Sequence, residues 1–381
     1  MLKPKPNIAQ LPIYQPGMQI DEVKRQYGLT DIVKLASNEN PFGSSPKAME
    51  AIQKELEHTH LYPDGRAYNL THKLAEKLHV KPEQIICGAG SDEIILMLVR
   101  TYLAAGDETI MSVPTFPQYK HNSEIENAVC IEVPLTPDGR QNLEGMLARI
   151  TNRTKIVWIC NPNNPTGKIV TQTEVESFLK RAPSNVLVVM DEAYNEYCNS
   201  ADYPEGLSLL NEYPNLVILR TFSKIYGLAS MRIGYAIGRP DVIQTIQQVR
   251  EPFNTSRFAQ AAALAALEDQ SFITECRKRN LQGLIQLYSG FDRLGLSYYE
   301  SHANFVLVDV KRPAEEVFQE LLAKGIIVRG GHALGFPSCI RVSVGSTEQN
   351  DTFLAALERV LQPVEQLEQE KRQHTPLYAD R

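Results

Sequence analysis

Two short segments of this 381-residue chain carry the side chains best suited to chemistry. Asp191-Glu-Ala-Tyr194 follows the apolar run Val186-Leu-Val-Val-Met190, and Thr221-Phe-Ser-Lys224 follows Leu216-Val-Ile-Leu-Arg220, with Arg232 a little further on. A carboxylate and an amine placed just past the C-terminal ends of buried strands stand where open α/β sheets keep their ligand crevice. An amine can hold an aldehyde as an imine, and an acid can keep a pyridine nitrogen protonated. With a phenol and with basic and hydroxyl groups for a phosphate, the set is what pyridoxal 5'-phosphate requires.

Each residue also has a plainer reading. Lys224 alone reads as a surface lysine, but Ser223 precedes it, Gly227-Leu-Ala-Ser230 follows it, and Arg232 lies where the chain returns to the sheet. An amine removed from water near Arg232 gives up its proton more readily, as imine exchange demands. Asp191 is otherwise a loop cap, and Tyr194, three residues on, an interface tyrosine. Gly88-Ala-Gly90-Ser91-Asp92-Glu93 follows one strand and opens a helix, so its free amides and the Ser91 hydroxyl form a cup for a phosphate. It is not the dinucleotide pattern, because Asp92 and Glu93 fill the later positions. Asn161-Pro-Asn-Asn164-Pro-Thr-Gly167 is a rigid turn that leaves the Asn164 amide free for a ring oxygen. Phe116 lies just past a strand, where it either stacks on a ring or packs in the core. Arg329 and Arg341 sit in apolar strands, as one structural ion pair each or together as a pocket for an anionic substrate.

The elements that position these groups alternate. Strands are expected at 85–87, 108–112, 129–133, 154–160, 186–190, 217–219 and 233–237, with helices between them, among others over 92–103, 115–126, 143–150 and 173–180. That pattern indicates a mostly parallel sheet covered on both faces. Beyond Ser256 come an alanine-rich helix, a long charged helix over 271–294 and a smaller α+β unit. The first forty residues read as a proline-punctuated arm (Pro4, Pro6, Pro12, Pro16) that packs on that unit.

Apolar content of 43%, charged content of 22% and a net charge of −6 describe a soluble globular protein with no footprint for nucleic acid. Six scattered cysteines show no metal spacing and read as reduced thiols. The first residues lack the apolar core of a secretory leader, and no segment reaches the length of a membrane span, so a cytoplasmic location is expected.

In order and spacing these residues resemble the fold-type I pyridoxal-phosphate aminotransferases, from Asn38-Glu-Asn-Pro41 to Arg341. Within that group Tyr14-Gln-Pro-Gly17, Tyr62-Pro-Asp-Gly65 and the Arg329/Arg341 pair are similar to histidinol-phosphate aminotransferases. The resemblance implies an aspartate-aminotransferase-like α/β fold. A mostly parallel seven-stranded sheet sandwiched by helices would form a large cofactor-binding domain over 45–269, beside a small α+β domain over 270–381 joined by the arm 1–44.

It implies a homodimer with shared active sites, in which Tyr62 reaches the phosphate of the partner's cofactor. Gly90, Ser91, Ser223 and Arg232 would hold the cofactor's phosphate within the subunit, Phe116 would stack on the ring, Asn164, Asp191 and Tyr194 would meet its substituents, and Asp92 would be a further cofactor-binding residue. Lys224 would be catalytic. Arg341, Arg329, Tyr14 and Asn38 would bind substrate. One departure is Phe116, where many relatives place tyrosine or tryptophan. The implied reaction exchanges an amino group between L-glutamate and L-histidinol phosphate in histidine biosynthesis. An aromatic amino acid aminotransferase or a decarboxylase of a phosphorylated amino acid would fit the same scaffold.

Overall fold

Strands Thr154–Cys160 and Leu187–Asp191 are buried along their length, Lys155 excepted, as a sheet covered on both faces demands. In the computed structural model, which describes residues 2–13 and 17–362, these strands form the middle of a seven-stranded sheet. Its order in space is Ile85–Gly88, Gly234–Ile237, Leu216–Thr221, Leu187–Asp191, Thr154–Cys160, Glu108–Val113 and Val129–Pro134. Gly234–Ile237 is antiparallel to both of its neighbours, and every other pairing is parallel.

Alternate side chains feed two cores. Val157, Val188 and Ile218 point to one with Leu70, Phe178 and Ala262, whereas Trp158, Val189 and Val217 point to the other with Ile94, Tyr119 and Ile243. Helices Tyr68–Leu78, Gln172–Arg181 and Arg257–Leu267 cover the first face. Ser91–Tyr102, Gln118–Ile125 and Pro240–Gln247 cover the second.

The helix Gln270–Arg293, about 36 Å long at 1.5 Å per residue, links this sheet to the next one. Ile273 and Cys276 near its start belong to the first core, while Leu284, Leu287 and Phe291 enter a separate core. That second core lies under an antiparallel sheet of Arg329–Gly330, Cys339–Ser343, Phe305–Asp309 and Ser297–Tyr299. The arm packs here as expected: Val33–Lys34 pairs with Ile326–Ile327, and Val23 is fully buried against Leu322 and Ile327.

The arm is more ordered than its prolines suggest. It contains helices Pro6–Ala9 and Ile20–Tyr27, the latter closed by a Gln19/Glu22 capping box and by Gly28 in the left-handed region. The helix expected over 143–150 ends at Leu147, where the chain turns toward Thr151 and Thr154, whose hydroxyls both bond the buried Glu108 carboxylate.

One glycine fixes the approach of arm to sheet. Gly227 has φ +69°, and a Cβ there would collide with the carbonyl oxygen of Gly43. The Ser44 hydroxyl donates to the Gly227 carbonyl at 2.7 Å. Gly227→Ala is expected to cost about 2–4 kcal/mol, from left-handed strain plus overpacking. Urea unfolding of the cofactor-free protein would show a lower midpoint at unchanged slope.

Candidate active site

A cavity of about 330 Å³ opens at the C-terminal ends of the parallel strands, between the two sheets. Lys224, Asp191, Tyr194, Asn164, Phe116 and Ser223 line it, as do Ser91, Asp92, Arg232, Asn38, Arg329 and Arg341. The chain thus brings together residues that lie up to about three hundred positions apart in sequence. Gly90 stands just behind, with φ +80°. A Cβ there would sit 2.6 Å from Arg232 Nη2, so glycine leaves room for the guanidinium.

At one end, strand Ile85–Gly88 runs into helix Ser91–Tyr102, whose first amides face the cavity beside the Ser91 side chain. Gly234 on the adjacent strand makes this possible, since a Cβ there would lie 2.7 Å from the Ser91 amide nitrogen. Arg232 adopts φ +52°, rare for a residue with a side chain. It donates to the Ser223 hydroxyl at 3.3 Å and to Asp92 Oδ2 at 3.2 Å. A helix N-terminus, two hydroxyls and a guanidinium held by backbone strain form an anion cup.

In the middle, Asp191 is buried at the end of its strand. Its Oδ2 accepts from the Tyr119 hydroxyl at 2.7 Å and its Oδ1 from the Ala193 amide at 3.1 Å. Burial pushes its carboxyl up to about 6, opposed by the Tyr119 hydrogen bond. Lys224 Nζ lies 3.4 Å from the Ser37 carbonyl and 5.5 Å from the Tyr194 ring centroid. Burial, and then the positive charge of Arg341, lower its ammonium to about 8. Cys160 pairs in register with Asp191 and lines the cavity, but burial raises its thiol to about 12, so it acts as a small apolar group.

At the far end Arg341 is buried, donating to Asn164 Oδ1 at 2.5 Å and to the Ala36 carbonyl at 2.6 Å, with its guanidinium 5.3 Å from the Phe305 ring. Arg329 is its direct cross-strand partner. Two like charges opposite each other on one face disfavour the sheet unless an anion lies between them. Asn38, at φ +55°, donates from Nδ2 to the Tyr194 hydroxyl at 3.0 Å, and its Oδ1 accepts from Ser343.

Two predicted residues are not found here. Tyr62 is 76% exposed and stacks on Phe253 at 4.6 Å, away from this chain's own cavity. Tyr14 lies outside the described residues. Sequence reading also missed contributors. Tyr119 is fully buried, stacked 4.8 Å from Trp158, and supplies the hydrogen bond to Asp191. Ser37, Gln118 and Leu334 line the walls. A tyrosine three residues past Phe116 looked like any core aromatic, and only the fold shows which acid it meets.

Among the described residues no cluster of histidine, cysteine, aspartate or glutamate is arranged to hold a metal ion, and no helix is long and apolar enough to cross a membrane. The chain's six cysteines are free thiols, four of them buried.

A lysine and an acid at adjacent strand ends, an anion cup beside them and an arginine pair opposite define a class of enzyme. Residues 30–357 match the aminotransferase class I and II family, and the chain belongs to it. Its relatives narrow the comparison. It is 54% identical over 360 residues to the histidinol-phosphate aminotransferase of Brevibacillus brevis, spanning 94% of this chain and 99% of that protein. It is 52% identical over 357 residues to that of Bacillus subtilis strain 168, covering 94% and 99%. The crystal structure of histidinol-phosphate aminotransferase from Sinorhizobium meliloti in complex with pyridoxal-5'-phosphate superposes with a TM-score of 0.88 at 31% identity, over 95% of this chain and 98% of that one. A double mutant of Thermus thermophilus aspartate aminotransferase gives 0.82 at 25% identity, covering 94% and 100%.

Proposed function

We propose that this protein is a pyridoxal 5'-phosphate-dependent aminotransferase that exchanges an amino group between L-glutamate and L-histidinol phosphate, with 2-oxoglutarate and imidazole-acetol phosphate as the keto partners. The observation that carries the substrate is the opposed Arg329/Arg341 pair at the end of the cavity away from the anion cup. The family and the relatives support the reaction class.

The residues fit the cofactor. Gly90 leaves the guanidinium of Arg232 room that a side chain would fill, and this cup suits a phosphate dianion. Asp191, whose carboxyl burial pushes up to about 6, would be held in its charged form by a cation such as a protonated ring nitrogen. Phe116 offers a flat face. Asn164 gives its Oδ1 to Arg341, which leaves Nδ2 to donate to a ring oxygen. Tyr194 accepts from Asn38, which leaves its hydroxyl proton for the same purpose. Lys224 would hold the aldehyde carbon. When bound, the cofactor supplies an electron sink that stabilises negative charge at the carbon bearing the substrate's nitrogen.

The chain does the rest. The amine of Lys224, more readily neutral once removed from water, would be the base that takes the proton from the substrate carbon bearing the nitrogen and would hold it for return. Arg341 and Arg329 grip the substrate's anionic group and so orient the scissile C–H bond, and the apolar walls from Phe116 and Leu334 exclude water. With glutamate the anion is a carboxylate, with histidinol phosphate a dianion, and the arginine pair accepts either.

The lowered lysine pKa sets a pH dependence. Only the neutral amine attacks the aldehyde, so the rate at which cofactor-free protein takes up pyridoxal phosphate should rise with pH and level off above about 8. A rise continuing toward pH 10 would mean that the amine is not buried as described.

We further propose a homodimer with the division 45–269 and 1–44 with 270–381, in the cytoplasm. Tyr62, Leu61, Leu56, Tyr68 and Phe253 are all exposed apolar residues near the 62–68 turn or packed on it, a surface suited to a second copy. In that arrangement Tyr62 would reach the partner's anion cup. Sedimentation of the loaded enzyme at the mass of one chain would remove this part of the reading. The function itself is tested by comparing kcat/KM for histidinol phosphate and phenylalanine with 2-oxoglutarate as acceptor. A preference for phenylalanine would replace the assignment with an aromatic aminotransferase.

A further inference from the structure

The acid and the amine arrive on neighbouring strands, and what keeps them apart at a fixed distance is not in the cavity. Strand Leu187–Asp191 runs parallel to Leu216–Thr221, with Asp191 opposite Leu219. The ladder closes with the Glu192 amide donating to the Leu219 carbonyl at 2.9 Å. Past that bond the chain leaves in two loops, one toward Tyr194 and the other toward Lys224. On the face turned away from the cavity, where strand alternation puts the neighbours of Asp191 and Thr221, a guanidinium bridges them. Arg220 Nε lies 2.8 Å and Nη2 2.7 Å from Glu192 Oε2.

This pair is unusually enclosed. The Glu192 side chain has no exposed surface and that of Arg220 only 13%. Glu192 Oε1 has no hydrogen-bond partner among the described residues. It abuts helix Gly206–Leu209 at Gly206, where any side chain would collide with it. Tyr235 is the cross-strand partner of Arg220 on its other side. Glu196 and the Arg277 guanidinium lie close by, burial pushing the Glu196 carboxyl up to about 7 and the Arg277 Nε bonding the Glu196 carbonyl at 2.6 Å. An arrangement made only for stability would seldom bury a carboxylate oxygen with no donor, since apolar side chains of the same volume do as well or better.

We propose that the buried Arg220–Glu192 pair is a positioning clamp for the reaction centre, tying together the two strand ends that deliver Asp191 and Lys224 and so fixing the ring-nitrogen acid relative to the amine. Neither side chain lines the cavity, so both act through the residues they hold. The inference rests on the pyridoxal-phosphate reading of the site but not on which substrate it takes.

The test uses the cofactor-loaded enzyme, the variant Glu192→Gln and the apolar double variant Glu192→Met with Arg220→Met, which removes the charges while keeping the volume. Melting of the cofactor-free forms shows whether each folds. The clamp predicts cooperative melting and full cofactor loading in the double variant, yet a kcat lower by about 10²-fold, the size expected for misplacement of about an ångström. KM for glutamate should change by less than about 3-fold. The pH midpoint of the visible absorbance of the lysine-bound cofactor should also move, a readout that needs no substrate and that lost packing alone would leave in place. A double variant with the kcat and the absorbance midpoint of the parent would overturn the clamp. A parent enzyme inactive on histidinol phosphate, with the midpoint still displaced in the variants, would overturn the substrate reading and support the clamp.

Discussion

Lys224→Ala is expected to lower kcat by about 10⁴-fold or more, the upper range for losing a positioned proton-transfer group. The cofactor should still bind in equimolar amount, because Arg232, Ser223, the first turn of helix Ser91–Tyr102 and Asp191 are untouched. The visible absorbance of the lysine-bound form should be missing. The size of the effect follows from the lysine's surroundings. With its ammonium lowered from 10.5 to about 8, roughly a tenth of the amine is neutral at pH 7, some 300-fold more than in an unperturbed lysine. Burial is the main cause, and the guanidinium of Arg341 adds to it. Lys224→Arg separates base from charge: it keeps a cation in place but cannot become neutral at any working pH. It should be as inactive as the alanine variant. An arginine variant with a tenth of the parent activity would show that Lys224 contributes charge alone.

The same residue shows what the sequence makes legible. A buried parallel strand is apolar at nearly every position, so the runs Ile156-Val-Trp-Ile-Cys160, Leu187-Val-Val-Met190 and Leu216-Val-Ile-Leu219 stood out, and with them the polar residues past their C-terminal ends. Those ends gave Asp191, Tyr194, Asn164, Ser223 and Lys224 without knowledge of strand order. The order itself was not readable, because parallel neighbours are set by packing across crossovers. Nor was the reversed direction of Gly234–Ile237, four residues whose only local mark is the glycine that lets Ser91 approach. The helix Ile20–Tyr27 was hidden behind the prolines around it, although Gln19, Glu22 and Gly28 signal its two ends. Tyr119 went unnoticed for another reason. Its role lies in a hydroxyl that meets an acid 72 positions away, and nothing local in sequence distinguishes it from a core tyrosine.

In the proposed reading the arginine pair sets the specificity. Arg341 is buried and already aligned by Asn164 and Ala36, so its fork meets an incoming anion without reorganising. Two charge-assisted hydrogen bonds at about 1.5–3 kcal/mol each place the loss for Arg341→Leu at roughly 10²–10⁴-fold in kcat/KM, in both half-reactions. The variant also strands Asn164 Oδ1 and the Ala36 carbonyl, so its thermal midpoint has to be read beside the kinetics. Arg329 differs. It is partly exposed and lies across the strand from Arg341, where it would serve the second charge of a dianion better than the single charge of a carboxylate. Arg329→Leu should therefore leave glutamate within about 10-fold of the parent kcat/KM while lowering histidinol phosphate by a further 10-fold or more. The ratio of the two substrates decides the matter, since any loss of fold or cofactor lowers both alike. Equal losses would mean that the second arginine does not read phosphate, and that the cavity distinguishes its substrates by the shape of the walls around Leu334 and Gln118.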